Sequence, residues 1–277
     1  MSEGRPAAPF AFLFVKEPFM PEQGIMPANL LFLVFVTVAV YAQNLTGFAL
    51  ALVLLGLVGA TDLFPLPDVV NVASIITLVN AALFLYRRRA LRLERLLWPV
   101  LLSSMAGTVL GVAALAWMMG NAYDVLRLLL GLSIVGCAWI LWRRAAPLAA
   151  SSTPASFLSV GLLSGLMGGL FSAGGPPLVF QIYRQPWTAG RIRESLMFLN
   201  GAGALLRLAV VVPTVGVNRQ SLALSAIAVP VVILVTMLTA NRAPPLSPRV
   251  LKLFVCGLLG ATGMTMIHAA LSVLAAA

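Results

Sequence analysis

Charged residues are scarce in this chain. They make up 9% of its 277 residues, against about 25% in an average soluble domain. Hydrophobic residues make up 61%, more than a water-soluble fold of this length can bury. A lipid bilayer solvates such surface. The sequence therefore excludes a water-soluble fold and predicts an all-α polytopic protein of the cell inner (plasma) membrane.

Residues that bind metals or relay protons are also rare. The chain has eight acidic residues, one histidine (His268) and two cysteines (Cys137 and Cys256) without CxxC spacing. Divalent-cation carriers need carboxylates or clustered histidines, and buried carboxylates are the usual proton relays. We therefore expect no disulfide, metal or cofactor. His268 is either an interfacial residue or a proton-coupling group.

Basic residues are in excess and give a formal net charge of +10. In a soluble chain this charge would indicate a nucleic-acid partner. Here the basic residues lie mostly in short loops between apolar runs, as the positive-inside rule describes for membrane proteins. We expect the lipid bilayer as a partner and no nucleic acid, and we leave homo-oligomerisation open.

Eight apolar segments follow one another, at residues 27–59, 67–86, 96–118, 124–142, 156–182, 192–213, 220–240 and 248–273. Residues 1–26 lack a signal-peptide cleavage pattern. We expect a flexible or interfacial segment there, with Phe10, Phe12, Phe14 and Phe19 at the lipid headgroups.

The apolar segments form an internal repeat. Segments one and five are interrupted by NLTGF and by LFSAGGPP, and the next segment in each half pairs an asparagine with an arginine seven residues later. The third segments contain WPV and VPV, and the fourth begin DVLRLLLG and RVLKLFVC. We predict a first repeat at 27–145, a cytoplasmic linker at 146–155 and a second repeat at 156–277.

Segment one is too long for a single crossing, at about 50 Å of helix, and if it is divided at Thr46-Gly47 we expect each half to be too short for a comfortable crossing. We expect segments one and five to be broken or re-entrant helices, each followed by three transmembrane helices, so that the two repeats are inverted. With this topology twelve basic residues lie on the cytoplasmic face and three on the outer face, and both termini lie outside. The cytoplasmic face holds Arg87, Arg88, Arg89, Arg92, Arg95, Arg143, Arg144, Arg184, Arg191, Arg193, Arg242 and Arg249, and the outer face holds Arg5, Lys16 and Arg219. Eight single crossings remain the alternative.

Two motifs carry a family resemblance: QNLTGFALAL in the first half and SVGLLSGLMGGLFSAGGPPLVFQIY in the second. With them, residues 27–273 resemble the TauE/SafE family of sulfite and organosulfonate exporters. The resemblance implies two modules that each open with a Gly-rich motif, and export of a small sulfur-containing anion. Ala49 and Ser172 stand where the family usually has glycine.

The interruptions are the expected substrate site. A broken helix offers unpaired backbone N–H groups and a positive dipole end to an anion. Gly174 and Gly175 allow the backbone to approach a solute, and Pro176 and Pro177 suit the first turn of a returning helix. Side-chain donors are expected from Gln43, Asn44, Thr46 and Ser172, with Gly47 in the first break. Alternatively, the glycines only permit close helix packing, as we expect for Gly161, Gly165 and Gly169.

Three further polar residues lie within the apolar segments. Asn80 and Asn200 occupy matching repeat positions and either face the substrate site or brace the bundle by interhelical hydrogen bonds. Arg207 either attracts the anion and gates its exit or snorkels to the headgroups.

The sequence favours an anion exporter and keeps two alternatives: a non-transporting membrane scaffold or assembly protein, and a permease for an unrelated small anion. An intramembrane enzyme is disfavoured, because no catalytic motif is visible.

Overall fold

The computed structural model describes residues 22–87, 94–143, 148, 150–239 and 248–274. The predicted N-terminal segment up to residue 21 lies outside this part. Ten α-helices follow one another in the described residues: α1 (Glu22–Thr46), α2 (Leu50–Thr61), α3 (Leu66–Tyr86), α4 (Leu97–Asn121), α5 (Tyr123–Arg143), α6 (Pro154–Phe171), α7 (Gly175–Tyr183), α8 (Ala189–Thr214), α9 (Arg219–Thr239) and α10 (Pro248–Leu274).

Seven of the described helices are long and apolar enough to cross a membrane: those at α1, α3, α4, α5, α6, α8 and α9. In α2 and in the Cys256–Ser272 part of α10 the apolar stretch is shorter. The prediction of a multi-pass all-helical protein is confirmed.

One detail of segment one was wrong. We expected both halves to be too short for a crossing. In the structure α1 begins at Glu22 rather than at residue 27, and its Pro27–Thr46 stretch alone has spanning length. The break falls late in the segment, so the two pieces are unequal.

The ten helices form two series of five that pack on each other reciprocally. Helix α4 packs along α6, and its counterpart α9 packs along α1. Likewise α5 contacts α7, and α10 contacts α2. The α3–α8 and α5–α10 pairs each join one series to the other. Each broken helix therefore rests on a helix of the opposite series.

Small residues bring α4 and α6 into close contact. A Cβ on Gly165 would lie 2.7 Å from Ser104 Cα, and one on Gly111 would lie 2.9 Å from Gly169 Cα. Real Cβ atoms do not approach so closely, and small residues at helix interfaces in membranes serve this purpose. The packing role predicted for Gly161, Gly165 and Gly169 is confirmed.

In each interrupted helix, the two ends that are far from the break lie side by side. After α7, the Arg184 carbonyl accepts a hydrogen bond from Leu148 N–H at 2.8 Å, and the side chain of Gln185 bonds Ser152, just before α6. In the first series the Phe64 ring, just after α2, meets the Phe32 ring of α1 edge to face, with centroids 5.5 Å apart. Helix α7 thus returns to the level of the start of α6, and α2 to the level of Phe32.

Candidate functional site

The second break lies between α6 and α7. Helix α6 ends at Phe171, and Ser172 follows in the left-handed conformation with φ 57°. Helix α7 begins at Gly175, whose φ of 64° favours glycine. Prolines occupy its first turn, where a missing N–H is tolerated. The interruption predicted in this motif is present.

The first break follows α1 at Gly47. Gly47 has φ 91°, its N–H donates to Gln43 O at 2.6 Å, and helix resumes at Leu50. A Cβ on Gly47 would lie 2.8 Å from the Arg193 carbonyl oxygen and 2.9 Å from Leu196 Cβ. This break is therefore pressed against α8, and only glycine fits it.

One side chain contacts both breaks. Asn200, near the middle of α8, donates from Nδ2 to Gly47 O at 3.3 Å and to Leu196 O at 2.8 Å. Its Oδ1 accepts from the Gly174 N–H at 3.4 Å. The two broken helices therefore meet at a single amide. Its two bonds to the breaks are near the long limit for hydrogen bonds and are the weakest of the three.

A small polar cavity borders the second break and Asn200. Its volume is ≈ 20 Å³, about enough for one water molecule. Hydroxyls line it from three sides, with the Gly174 backbone beside them. The polar lining residues are Ser104, Thr108, Ser164, Ser172 and Asn200.

A buried cation lies behind this cavity. The side chain of Arg207 is 1% exposed, so it does not snorkel to the headgroups. Its Nε donates to Gly169 O at 3.0 Å, and its Nη1 donates to Asn71 Oδ1 at 3.0 Å and to Ser74 Oγ at 2.9 Å. No carboxylate among the described residues forms an ion pair with it. Arg207 thus satisfies a terminal carbonyl of α6 while its charge stays uncompensated.

Two hydroxyls connect Arg207 to the cavity. Ser74 Oγ lies 2.9 Å from Ser172 Oγ, which lines the cavity, and 3.0 Å from Val70 O, so its one proton has two possible acceptors. When Ser74 accepts from Arg207 and donates to Ser172, the Ser172 proton is free to point into the cavity. Such chains polarise their members and strengthen the last donor.

The other predicted amide residues, Gln43, Asn44 and Asn80, lie near the end of α1. Asn44 Nδ2 bonds Thr239 Oγ1 at 2.9 Å and Thr236 Oγ1 at 3.4 Å, and Thr236 in turn donates to Asn80 Oδ1. Gln43 Nε2 contacts Met197 Sδ at 3.3 Å. The Thr236–Asn80 hydrogen bond joins α9 to α3, which is the contact that the second predicted role of Asn80 requires.

Six of the ten predicted site residues fall into two groups. Ser172, Gly174 and Asn200 line the cavity, whereas Gln43, Asn44 and Asn80 belong to the amide cluster; neither group includes His268, which is exposed. Thr46 bonds its own helix at Ala42 O, and Gly175 packs on Met167. Sequence reasoning missed Ser104, Thr108 and Ser164. The spacing of Ser104 and Thr108, four residues apart on one helix face, was the available signal.

Membrane-spanning helices, two interrupted helices and a cavity with hydroxyl groups beside the second of them are the architecture of a multi-pass membrane transport protein. The family model described as "Sulfite exporter TauE/SafE" matches residues 30–266, and the chain belongs to this family of membrane transporters. A relative described as a probable sulfite/organosulfonate exporter TauE, from Cupriavidus necator, is 31% identical over 236 residues, which cover 84% of this chain and 91% of the relative. No solved structure matches the chain.

Proposed function

We propose that this protein exports sulfite or a short organosulfonate across the cell inner membrane, through a central site where the two broken helices meet. The observation that carries the proposal is Asn200, whose amide contacts both breaks beside a hydroxyl-lined cavity. The description of the relative as a probable sulfite/organosulfonate exporter supports the choice of solute.

The chemistry of the cavity suits an oxyanion. Ser104, Thr108, Ser164 and Ser172 bring hydroxyl donors, and the positive end of the α7 dipole lies at the Gly174–Gly175 backbone. Arg207 supplies positive charge through the Ser74–Ser172 chain without filling the cavity. Donors with one nearby buried cation stabilise an anion while leaving it weakly enough held to be released.

The empty cavity is too small for the solute. At ≈ 20 Å³ it admits about one water, and a sulfonate or sulfite ion is several times larger. Binding therefore requires the breaks to separate, and the bonds of Asn200 to Gly47 and Gly174 are the ones that open. In this proposal Asn200 closes the site when it is empty and bonds the anion when it is filled.

The proposed topology is two inverted repeats whose broken helices are re-entrant. The start of α6 lies beside the end of α7, and Phe32 of α1 lies beside Phe64, just after α2. These contacts support two helical hairpins, each of which returns to the membrane face from which it entered. The hairpins open on opposite faces. Asp68, at the start of α3, bonds Asn218 and Ser221, at the start of α9, and marks one face.

The other face is basic. Arg87 donates to Met237 O at the end of α9, and Arg191 pairs with Glu94 at 2.9 Å. Arg184 and Arg193 lie near the same helix ends. By the positive-inside rule we propose that this face is cytoplasmic and that both termini lie outside.

Reconstituted liposomes test the proposal. Purified wild-type protein is expected to release internal sulfite, sulfoacetate, taurine or thiosulfate faster than empty liposomes do. Asn200→Leu is expected to remove this flux, because it separates the two breaks and fills the cavity. Leu205→Ala, on an exposed position of the same helix, is the matched control and is expected to keep it. If no sulfur anion leaves wild-type liposomes faster than it leaves protein-free liposomes, the assignment is refuted and a scaffold is favoured.

A further inference from the structure

Four buried polar atoms beside the first break have no hydrogen-bond partner: Gln43 Oε1, Asn44 Oδ1, Thr77 Oγ1 and Asn80 Nδ2. Their residues are between 0% and 2% exposed. Buried polar groups in native proteins almost always have partners, since leaving one unpaired costs about 1–3 kcal/mol. Four such atoms near one another therefore point to a ligand that bonds them.

The hydrogen bonds of Asn44 and Gln43 determine which end of each side-chain amide is the NH2 group and which is the carbonyl oxygen. Thr239 donates its only hydroxyl proton to Val235 O at 2.6 Å, so it can only accept from Asn44 Nδ2. Gln43 Nε2 is directed to Met197 Sδ, which has no proton to give. The Asn44 and Gln43 carbonyl oxygens are thus turned away from these partners and held available.

Shared neighbours link the residues of the four atoms. Asn44 and Asn80 share the Thr236 hydroxyl. Thr77 lies three residues before Asn80 on α3, on a neighbouring position of the helix surface. Gln43 contacts Met197, which packs on Ala81, the residue after Asn80. Both α1 residues lie in the last turn of that helix, which carries the negative end of its dipole and no basic side chain.

We propose that this cluster binds a monovalent alkali cation. Three unpaired oxygens, from Gln43, Asn44 and Thr77, and a negative helix end stabilise positive charge. Gln43, Asn44, Thr77, Asn80, Thr236 and Thr239 include no carboxylate, which disfavours a divalent ion, and no group that titrates near neutral pH, which disfavours a carried proton. Asn80 Nδ2 and the Thr77 hydroxyl proton are the donors without a partner, and water ligands of the cation satisfy them.

Asn200 connects the cation site to the anion cavity through the Gly47 carbonyl. Gly47 follows Asn44 by three residues, and its carbonyl is held by Asn200, which also holds Gly174. A cation that orders the end of α1 therefore favours one arrangement of Asn200. This coupling rests on the proposed function, whereas cation binding itself does not. Coupling between binding sites is reciprocal, so the anion is expected to change the cation affinity by the same factor by which the cation changes the anion affinity.

Thermal unfolding of the purified full chain tests cation binding. Melting is followed in NaCl, KCl and choline chloride at equal ionic strength. A saturable rise in Tm with Na⁺ or K⁺, absent with choline, is expected. Thr77→Val keeps the side-chain shape but removes one oxygen, and is expected to raise the half-saturating cation concentration about tenfold. Thr37→Val is the matched control, because Thr37 is an exposed threonine of α1 that bonds its own helix at Leu33 O.

Wild-type melting that is identical in the three salts would overturn the proposal and leave an ordered water as the occupant. Dependence on pH alone, or an unchanged cation response in Thr77→Val, would overturn it as well. The wild-type comparison needs no variant to fold. Anion flux from liposomes that contain choline as the only cation separates the two proposals: full flux there removes the coupling but keeps the anion transporter.

Discussion

Removing the charge of Arg207 is the sharpest test of the anion site. Two hydrogen bonds of 2.9 Å each separate Arg207 Nη1 from Ser172 Oγ, so an anion held by Ser172 lies at most about 9 Å from the guanidinium group. At an effective dielectric constant of about 20, this distance gives about 1.8 kcal/mol per unit charge. Arg207→Gln is therefore expected to raise the Kd of a monovalent sulfonate about twentyfold.

The charge of the ligand separates electrostatic attraction from a purely structural role. For a dianion the same change is worth about twice as much free energy, so at alkaline pH, where sulfite is a dianion, its Kd is expected to rise about four-hundredfold. Arg207→Lys keeps the charge and loses part of the guanidinium hydrogen bonding, so we expect a change of about fivefold for both ligands.

Isothermal calorimetry on protein in nanodiscs measures these constants, with the melting curve of each variant as the folding control. Equal losses for the two ligands in Arg207→Gln would contradict the argument, since a guanidinium group that only caps α6 at Gly169 O does not sense ligand charge. Equal behaviour of the Lys and Gln variants would contradict it too.

Three further outcomes are expected. Gly174→Leu should reduce liposome flux to the background level while cooperative melting is kept, because its side chain enters the cavity; Gly190→Leu, where nothing lies within 4 Å of the added Cβ, should transport normally. Gly47→Ala should lower the free energy of unfolding by more than about 1–2 kcal/mol, the cost of a left-handed non-glycine residue alone, because the added Cβ also meets the Arg193 carbonyl; denaturant titration measures this, and unchanged stability would mean that the break relaxes. Ser104→Ala and Thr108→Val should each raise the KM for the anion about fivefold, the loss of one hydrogen bond, and a normal KM in both would remove α4 from the site.

Sequence patterns located the helix breaks well because their chemistry is local. A left-handed residue or a proline-rich first turn demands particular residues at particular positions, and Gly47, Ser172 and Gly175 mark the interruptions directly. The close packing of Gly165 on α4 was predictable for the same reason, since small residues four apart make a flat helix surface.

Contacts between distant segments left no such mark. Asn200 was assigned two alternative roles, and nothing in its neighbourhood along the chain indicated that it meets Gly47 and Gly174 from opposite sides. Ser104 and Ser164 look like ordinary small residues of membrane helices until α4 and α6 are placed together. Arg207 was expected at the headgroups or in the site because its side-chain partners, Asn71 and Ser74, lie more than a hundred residues away.

The reciprocal packing of the two series has a consequence for synthesis at the ribosome. Helix α4 is inserted well before α6 exists, so the glycine surface of Gly107 and Gly111 first faces lipid, and α1 waits still longer for α9. The first broken helix acquires its supporting neighbours, α9 and α10, only when the second half has been translated. The nascent chain therefore matures late, and two separately encoded halves would become stable only by assembling with each other.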